Sequence, residues 1–163
     1  MNLDAWHDLF LAAAGAGAAL AGLIIVAMSV NVRTILAIPS MTSRAATTVA
    51  GLILIVVVSC AALVPAQPAA ALGIEIALAA TVALTLAVRS AGYILRARTP
   101  AIGLGLTLGK AALGVLPTAG MFLGGILLIR WVDTGLYLVA GAVIVGFATS
   151  VTNAWVLLVE ILR

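Results

Sequence analysis

The sequence predicts an all-α fold, a transmembrane bundle of five helical spans, and three observations carry that prediction. Hydrophobic residues make up 65% of the 163 residues and charged residues only 8%, so too few polar side chains are present to cover a soluble core. The mean hydropathy is +1.34. The apolar runs are continuous and lack the alternation typical of membrane β-strands. The chain is therefore expected to have lipid around most of its surface.

Five apolar segments are long enough to cross a bilayer, for which a helix needs about 20 residues. Pro39 is expected to end the helix that continues from the first segment, and Pro65 and Pro68 close the second. The connections are short, so residues 1–163 form a single transmembrane domain. The predicted spans are approximately 9–31, 45–64, 71–95, 102–129 and 135–161.

The first span is unusual in its first half, where Ala12–Gly22 is almost entirely alanine and glycine. Contact with lipid alone favours larger apolar side chains, so this composition indicates that another helix backbone approaches closely. Asp4 and Asp8 lie where a cleavable signal peptide would carry basic residues. The first span is therefore expected to remain as an uncleaved anchor.

The distribution of positive charge predicts the orientation of the chain in the membrane. With five spans, most lysine and arginine residues fall on one side, which the positive-inside rule assigns to the cytoplasm. The N-terminus is then outside and the C-terminus is cytoplasmic. The cytoplasmic side carries Arg33, Arg44, Arg89, Arg96, Arg98, Lys110 and Arg163. The outer side carries Arg130 with Asp4, Asp8, Glu75 and Asp133.

Small and polar residues recur along one side of the first span, which we term the first-span face. Seven-residue spacing places its members on one side of a helix. One interpretation is a surface for close helix packing, and the other is the lining of a pore in a homo-oligomer. Packing is the commoner use of small residues in membranes, and the two interpretations agree if the contact lies between subunits. The face comprises Asp8, Gly15, Ala18, Gly22, Ser29 and Arg33.

The fifth span carries a buried polar stripe, which we term the fifth-span stripe: Thr149, Asn153 and Glu160, with Gly146 in the same register. Polar residues so far inside a membrane are expected to face protein or water. The first and fifth spans run in the same direction, so Glu160 is a candidate partner for Arg33. The alternative is that Arg33 reaches the lipid headgroups and Glu160 pairs with Arg163.

Two cations near one depth, Arg89 and Lys110, are candidates for binding an anion or an anionic lipid headgroup. The alternative is a purely structural role, in which each of these long side chains extends to the cytoplasmic interface. On the outer side, Glu75 is expected to pair with Arg130.

The fourth span is rich in glycine and contains Pro117, which is expected to kink it. Gly105–Gly109 and Gly120–Gly124 both have the spacing of a GxxxG packing motif. The run ending at Gly109-Lys110 faintly resembles a phosphate-binding loop, but Leu104 and Ala111 replace the required glycine and hydroxyl residue. Nucleotide binding is therefore rejected.

The composition also argues against catalysis and cofactors. His7 is the single histidine and Cys60 the single cysteine, so one chain offers no histidine-based metal site and no nucleophile with a histidine partner. We expect no enzyme activity, no cofactor and no metal. Basic residues lie at the ends of apolar runs rather than in a patch with aromatics, so no nucleic acid partner is expected.

The first third of the chain resembles a group of small bacterial integral membrane proteins of unassigned activity. The resemblance covers residues 6–68 and implies a location in the bacterial cytoplasmic (inner) membrane, but it implies no reaction. It rests on Trp6, Phe10, Leu20-Ala21-Gly22-Leu23, Val26-Ala27-Met28-Ser29-Val30-Asn31, Arg44-Ala45 and Pro65-Ala66-Gln67-Pro68.

The leading functional hypothesis from the sequence is a small homo-oligomeric channel or permeation pathway, with the first span near the symmetry axis. The polar and small face from Asp8 to Arg33 motivates it. The rival is a non-catalytic accessory or scaffold subunit of a larger membrane complex. The lipid bilayer and a second copy of the chain are the expected partners in the first case.

Overall fold

A computed structural model describes residues 3–37, 39–96, 104–130 and 133–161 as an all-helical chain. A single 3₁₀ turn at Asp4–Trp6 precedes the first helix. All the helices except the short α2 are long and apolar enough to cross a membrane, so their number agrees with the five predicted spans. The helices are α1 (His7–Val30), α2 (Val32–Ala37), α3 (Pro39–Ala62), α4 (Ala69–Arg96), α5 (Leu104–Ile129) and α6 (Thr134–Ile161).

Helix α2 ends at Ala37, before Pro39, as expected, but Pro39 also begins α3 where the sequence predicted a connection between spans. Proline has no amide hydrogen to offer, but the first residue of a helix needs none, and the fixed φ of proline suits that position. Helix α2 ends at Ala37, so a single residue separates it from α3. The interruption lies earlier, at Asn31, whose backbone amide donates to the Met28 carbonyl at 3.1 Å. The second span therefore begins before Ala45.

Helix α3 lies between α1, α4 and α6 and forms the centre of the bundle. Its side chains Leu52, Ile55 and Val58 are almost fully buried. Burial of large apolar side chains on three sides of α3 fixes the positions of the helices around it. Helix α1 is peripheral and packs mainly on α3. Its buried residues are Phe10, Ala13, Gly17, Ala21 and Ile24.

Helix α5 is held between α4 and α6 by adjacent glycines that face opposite neighbours. A Cβ atom on Gly124 would lie 3.0 Å from the carbonyl oxygen of Gly135 on α6. A Cβ atom on Gly125 would lie 2.8 Å from the carbonyl oxygen of Gly73 on α4. These distances leave no room for a side chain, so the three backbones are in direct contact.

The two predicted GxxxG motifs of α5 have different environments. Gly124 contacts α6 as described, and a Cβ on Gly120 would lie 3.1 Å from the Cβ of Ala142 on the same helix, so Gly120–Gly124 is a packing motif. Gly105 and Gly109 have nothing within 4 Å of a Cβ position. The Gly105–Gly109 motif therefore has no helix partner in the described part of the chain.

An aromatic contact joins the starts of α1 and α6. The rings of Trp6 and Tyr137 meet edge to face, with centroids 4.7 Å apart and planes inclined by 84°. Because both residues lie at the N-terminal ends of their helices, α1 and α6 begin at the same end of the bundle. This agrees with the parallel direction predicted for the first and fifth spans.

Candidate functional site

The first-span face lies on the outside of the bundle. Gly15 and Gly22 have nothing within 4 Å of a Cβ position, unlike Gly17 on the opposite side of α1, whose Cβ would lie 2.9 Å from Val56 Cγ2. The remaining members, Asp8, Ala18, Ser29 and Arg33, are exposed. The Ser29 hydroxyl donates to the Ile25 carbonyl of its own helix at 2.7 Å. Among the described residues, no other helix packs against Gly15 or Gly22.

An apolar groove adjoins the C-terminal half of the first-span face. It runs between α3 and the α1–α2 segment, is open on one side, and has a volume of about 460 Å³. Ser29 belongs both to the first-span face and to the wall of this groove. The groove is also lined by Ile25, Met28 and Val32 on one wall and by Val49 and Ile53 of α3 on the other.

A second, smaller cavity lies inside the bundle between α3, α5 and α6, and we term it the hydroxyl cavity. Its volume is about 20 Å³, which is room for roughly one water molecule. Apolar and glycine residues, among them Ile55, Met121 and Gly146, complete the wall. The polar side chains that line it are Thr47, Thr48, Thr118, Thr149, Ser150 and Asn153.

The four threonines of the hydroxyl cavity all use their hydrogen atom within their own helix. Each hydroxyl donates to a backbone carbonyl three or four residues earlier, an arrangement that leaves the oxygen lone pairs free to accept. The bonds are Thr47 to Ser43 at 2.8 Å, Thr48 to Arg44 at 2.9 Å, Thr118 to Val115 at 2.9 Å and Thr149 to Gly146 at 3.0 Å.

Ser150 and Asn153 complete the polar part of the lining. Ser150 is only 5% exposed. Its Oγ atom lies 3.7 Å from the position of a Cβ on Gly51, across the cavity on α3. Ser150 is the more enclosed of the two side chains, since Asn153 is half-buried.

Pro117 adds a backbone acceptor to the same region. It lies inside α5, lines the hydroxyl cavity and is buried. Because proline has no amide hydrogen, the carbonyl of Leu113 loses its usual helical donor. Pro117 packs towards α6, where a Cβ on Gly146 would lie 3.7 Å from its ring.

The structure brings together only part of the fifth-span stripe. Thr149 and Asn153 meet in the hydroxyl cavity, with Gly146 beside them. The side chain of Glu160 lies outside the described residues, so its pairing with Arg33 stays a prediction. The side chain of Lys110 is likewise outside them, whereas Arg89 is exposed on α4.

The expected ion pair between Glu75 and Arg130 is wrong. The structure describes both side chains, and both are exposed without pairing with each other. At the start of α1, His7 Nδ1 lies 3.2 Å from Asp8 Oδ1, and both of these side chains are solvent-exposed. A pair so exposed contributes little to stability.

Sequence reasoning missed most of the hydroxyl cavity. It identified Thr149 and Asn153 on one helix but not the threonines of α3 and α5 or the neighbouring Ser150. A usable signal exists, since Thr47-Thr48 and Thr149-Ser150 are paired hydroxyl residues inside apolar spans. Comparing the predicted membrane depth of these pairs with that of Thr118 would have indicated that they belong to one site.

Among the described residues, no group of three or more histidine, cysteine, aspartate or glutamate side chains is placed to hold a metal ion. No family model, curated protein or solved structure matches the chain. Function is therefore inferred from the geometry of the first-span face and the hydroxyl cavity.

Proposed function

We propose that this multi-pass membrane protein is a homo-oligomeric channel or permeation pathway in which α1 lies near the symmetry axis. One observation carries the proposal: the first-span face is made of small and polar residues, yet it is exposed and no other helix covers its glycines among the described residues. Small residues allow helices to approach closely, and a second copy of the same face is the simplest partner.

The pathway is proposed to run between chains because the centre of the described bundle is filled. Leu52, Ile55 and Val58 of α3 are at most 1% exposed, as are Leu72 and Ile76 of α4. Close packing of large apolar side chains leaves no polar route at this level. A route between subunits would instead pass along Gly15, Gly22 and Ser29.

The charges at the two ends of the first-span face suit a passage for small solutes or ions. Asp8 lies near the N-terminal end of α1 and Arg33 lies beyond its C-terminal end, and both are exposed. Rings of charged side chains at a pore mouth select the sign of the permeant ion. The proposed setting is the bacterial cytoplasmic membrane, with the N-terminus outside and no catalytic step.

Reconstituted liposomes test the proposal directly. We expect flux of small ions or solutes through the wild-type protein and a large loss of flux for Gly22→Trp, because the indole would fill the passage. Gly141→Trp is the matched control, since Gly141 on α6 is also exposed with nothing within 4 Å of a Cβ position. Absence of flux at every voltage and pH, or equal loss in both variants, contradicts the pathway.

The second candidate function is an accessory or scaffold subunit that uses the same face against a different protein. The apolar groove beside Ser29 favours it, because a groove of about 460 Å³ can receive the side chains of a partner helix. Recovery of one partner in fixed stoichiometry from native membranes, together with a monomeric state in its absence, would support this function over the channel.

A further inference from the structure

The apolar groove between α3 and the α1–α2 segment has a length, a lining and a charged end that together fit one kind of occupant. We propose that it holds one acyl chain of an anionic phospholipid, with the lipid phosphate beside Arg33. The groove lies within a single chain and is open on one side, so a lipid can enter it from the bilayer. Lipid binding there requires neither an oligomer nor a permeation pathway.

The groove is as long as one leaflet is deep. On α3 its lining begins at Thr42 and ends at Ile53. At about 1.5 Å per residue this stretch rises by about 16 Å, which is half of a hydrocarbon core of about 30 Å. The part of α3 that can cross a membrane is Met41–Ala62, so Thr42 lies at its end and Ile53 near its middle. One acyl chain occupies this same depth.

The groove is closed at both ends. Near the middle of the membrane α1 touches α3, because a Cβ on Gly17 would lie 2.9 Å from Val56 Cγ2. At the other end α2 stops at Ala37 and α3 begins at Pro39, so these two helices converge there. A partner helix that crossed the whole bilayer would be about twice as long as the groove and would meet its closed end at Gly17. The closed ends therefore favour an acyl chain over a spanning helix.

The groove offers hydrocarbon to its occupant. Its two hydroxyl side chains already donate within the chain, Ser29 to the Ile25 carbonyl and Thr42 to the Ile35 carbonyl, each at 2.7 Å. Every other residue of the lining has an alanine, methionine or branched aliphatic side chain. A wall of this composition recognises an apolar chain by contact area and provides no set of polar groups to orient a polar ligand.

Positive charge lies at the end of the groove where the phosphate of such a lipid would sit. Arg33 directly follows the groove-lining Val32 and is exposed, and Arg44 directly precedes the groove-lining Ala45. A guanidinium can donate two hydrogen bonds to one phosphate, and basic residues at a membrane surface attract anionic lipids. Among the described side chains, the carboxylates lie near the starts of α1, α4 and α6, at the opposite end of the bundle: Asp8, Glu75 and Asp133.

Native mass spectrometry of the detergent-purified full-length protein, titrated with phosphatidylglycerol, tests whether the groove holds the chain. We expect one tightly bound lipid per chain. Ala50→Phe places a ring in the groove and should weaken binding by about ten-fold or more, the effect of excluding two CH₂ groups. Ala46→Phe fills the same groove and should do likewise if Ala50→Phe folds poorly. Val57→Phe is the matched control, because Val57 is exposed on α3 outside the groove, and it should bind as the wild type does.

A second comparison tests the position of the phosphate. Wild-type protein should prefer phosphatidylglycerol to zwitterionic phosphatidylcholine, and Arg33→Gln should weaken phosphatidylglycerol binding about five-fold, the effect of one basic residue at the membrane surface. Arg89→Gln, which removes an exposed charge from α4, should keep wild-type affinity.

Three results would overturn the lipid site. The first is equal affinity of the wild-type protein for the two lipids. The second is full retention of phosphatidylglycerol in both Ala46→Phe and Ala50→Phe, which would place the lipid elsewhere on the surface. The third is equal weakening in Arg33→Gln and Arg89→Gln, which would show a response to overall charge. None of these readouts depends on flux or on self-association, so the channel proposal can fail while the lipid site stands.

Discussion

The backbones of Gly73 on α4 and Gly125 on α5 are in direct contact. A Cβ atom on Gly73 would lie 2.6 Å from the carbonyl oxygen of Gly125, and one on Gly125 would lie 2.8 Å from the carbonyl oxygen of Gly73. The obstacles are backbone atoms, which cannot rotate away. Any side chain at either position must therefore push the two helices apart.

We expect Gly125→Ala to destabilise the protein by about 1–3 kcal/mol, the usual cost of overpacking a core. The unfolding midpoint in detergent should fall by roughly 2–4 °C for each kcal/mol. Gly141→Ala is the control, since its Cβ would meet nothing within 4 Å and alanine is the better helix former. Equal midpoints for the two variants would contradict direct contact between α4 and α5.

The two sides of α1 should respond differently to a bulky residue. Gly17→Leu is expected to lower the unfolding midpoint, because a Cβ on Gly17 already lies 2.9 Å from Val56 Cγ2. Gly15→Leu should leave the midpoint of the single chain unchanged and weaken self-association, which mass measurement in detergent can follow. A destabilised chain with an unchanged oligomer for Gly15→Leu would indicate that the two sides of α1 are assigned the wrong way round.

Much of the fold follows from the sequence, because long apolar runs and prolines mark the spans and their ends. The packing side of α1 does not follow. Between Leu9 and Met28 every side of this helix is apolar or small, so periodicity offers no polar side there to separate interior from exterior. Gly15 and Gly17 are the same residue type, and only the position of α3 decides which one is buried.

The candidate site shows the same limit. Asn153 is detectable from the sequence because an amide inside an apolar span needs protein or water around it. Thr48 and Thr118 are not detectable one at a time, since a threonine can bond within its own helix and is then tolerated anywhere in a membrane; only a comparison of their depths groups them. Their convergence on one cavity is a property of the packing of three helices. The start of α3 at Pro39 was missed because a proline that follows the end of one helix can also begin the next.

The aromatic contact between Trp6 and Tyr137 should hold the first turn of α1. Trp6→Ala removes the ring that meets Tyr137 edge to face, an interaction that contributes about 0.5–1.5 kcal/mol beyond burial. We expect faster hydrogen exchange at the start of α1, measured by mass spectrometry. Tyr137→Phe keeps the ring and should exchange at the wild-type rate. Unchanged protection in Trp6→Ala would show that the contact does not anchor α1.

The orientation predicted from the positive charges is open to a labelling experiment. In a Cys60→Ala background, Ala5→Cys should react with an impermeant maleimide on intact cells, because the N-terminus is expected to be outside. Ala37→Cys, at the opposite end of α1 and α2, should react only after the membrane is opened. Both residues are exposed in the structure. The reverse pattern of labelling would invert the topology.

The central claim is that copies of the chain meet through the first-span face, and cysteine crosslinking in native membranes tests it most directly. Cys60 is the single cysteine, so Cys60→Ala gives a clean background for Ala18→Cys on that face and for Val82→Cys on the exposed side of α4. Near a symmetry axis, equivalent residues of neighbouring subunits approach one another. The account predicts a crosslinked dimer for Ala18→Cys and none for Val82→Cys. A monomer in both variants, or crosslinking at Val82→Cys alone, would contradict it.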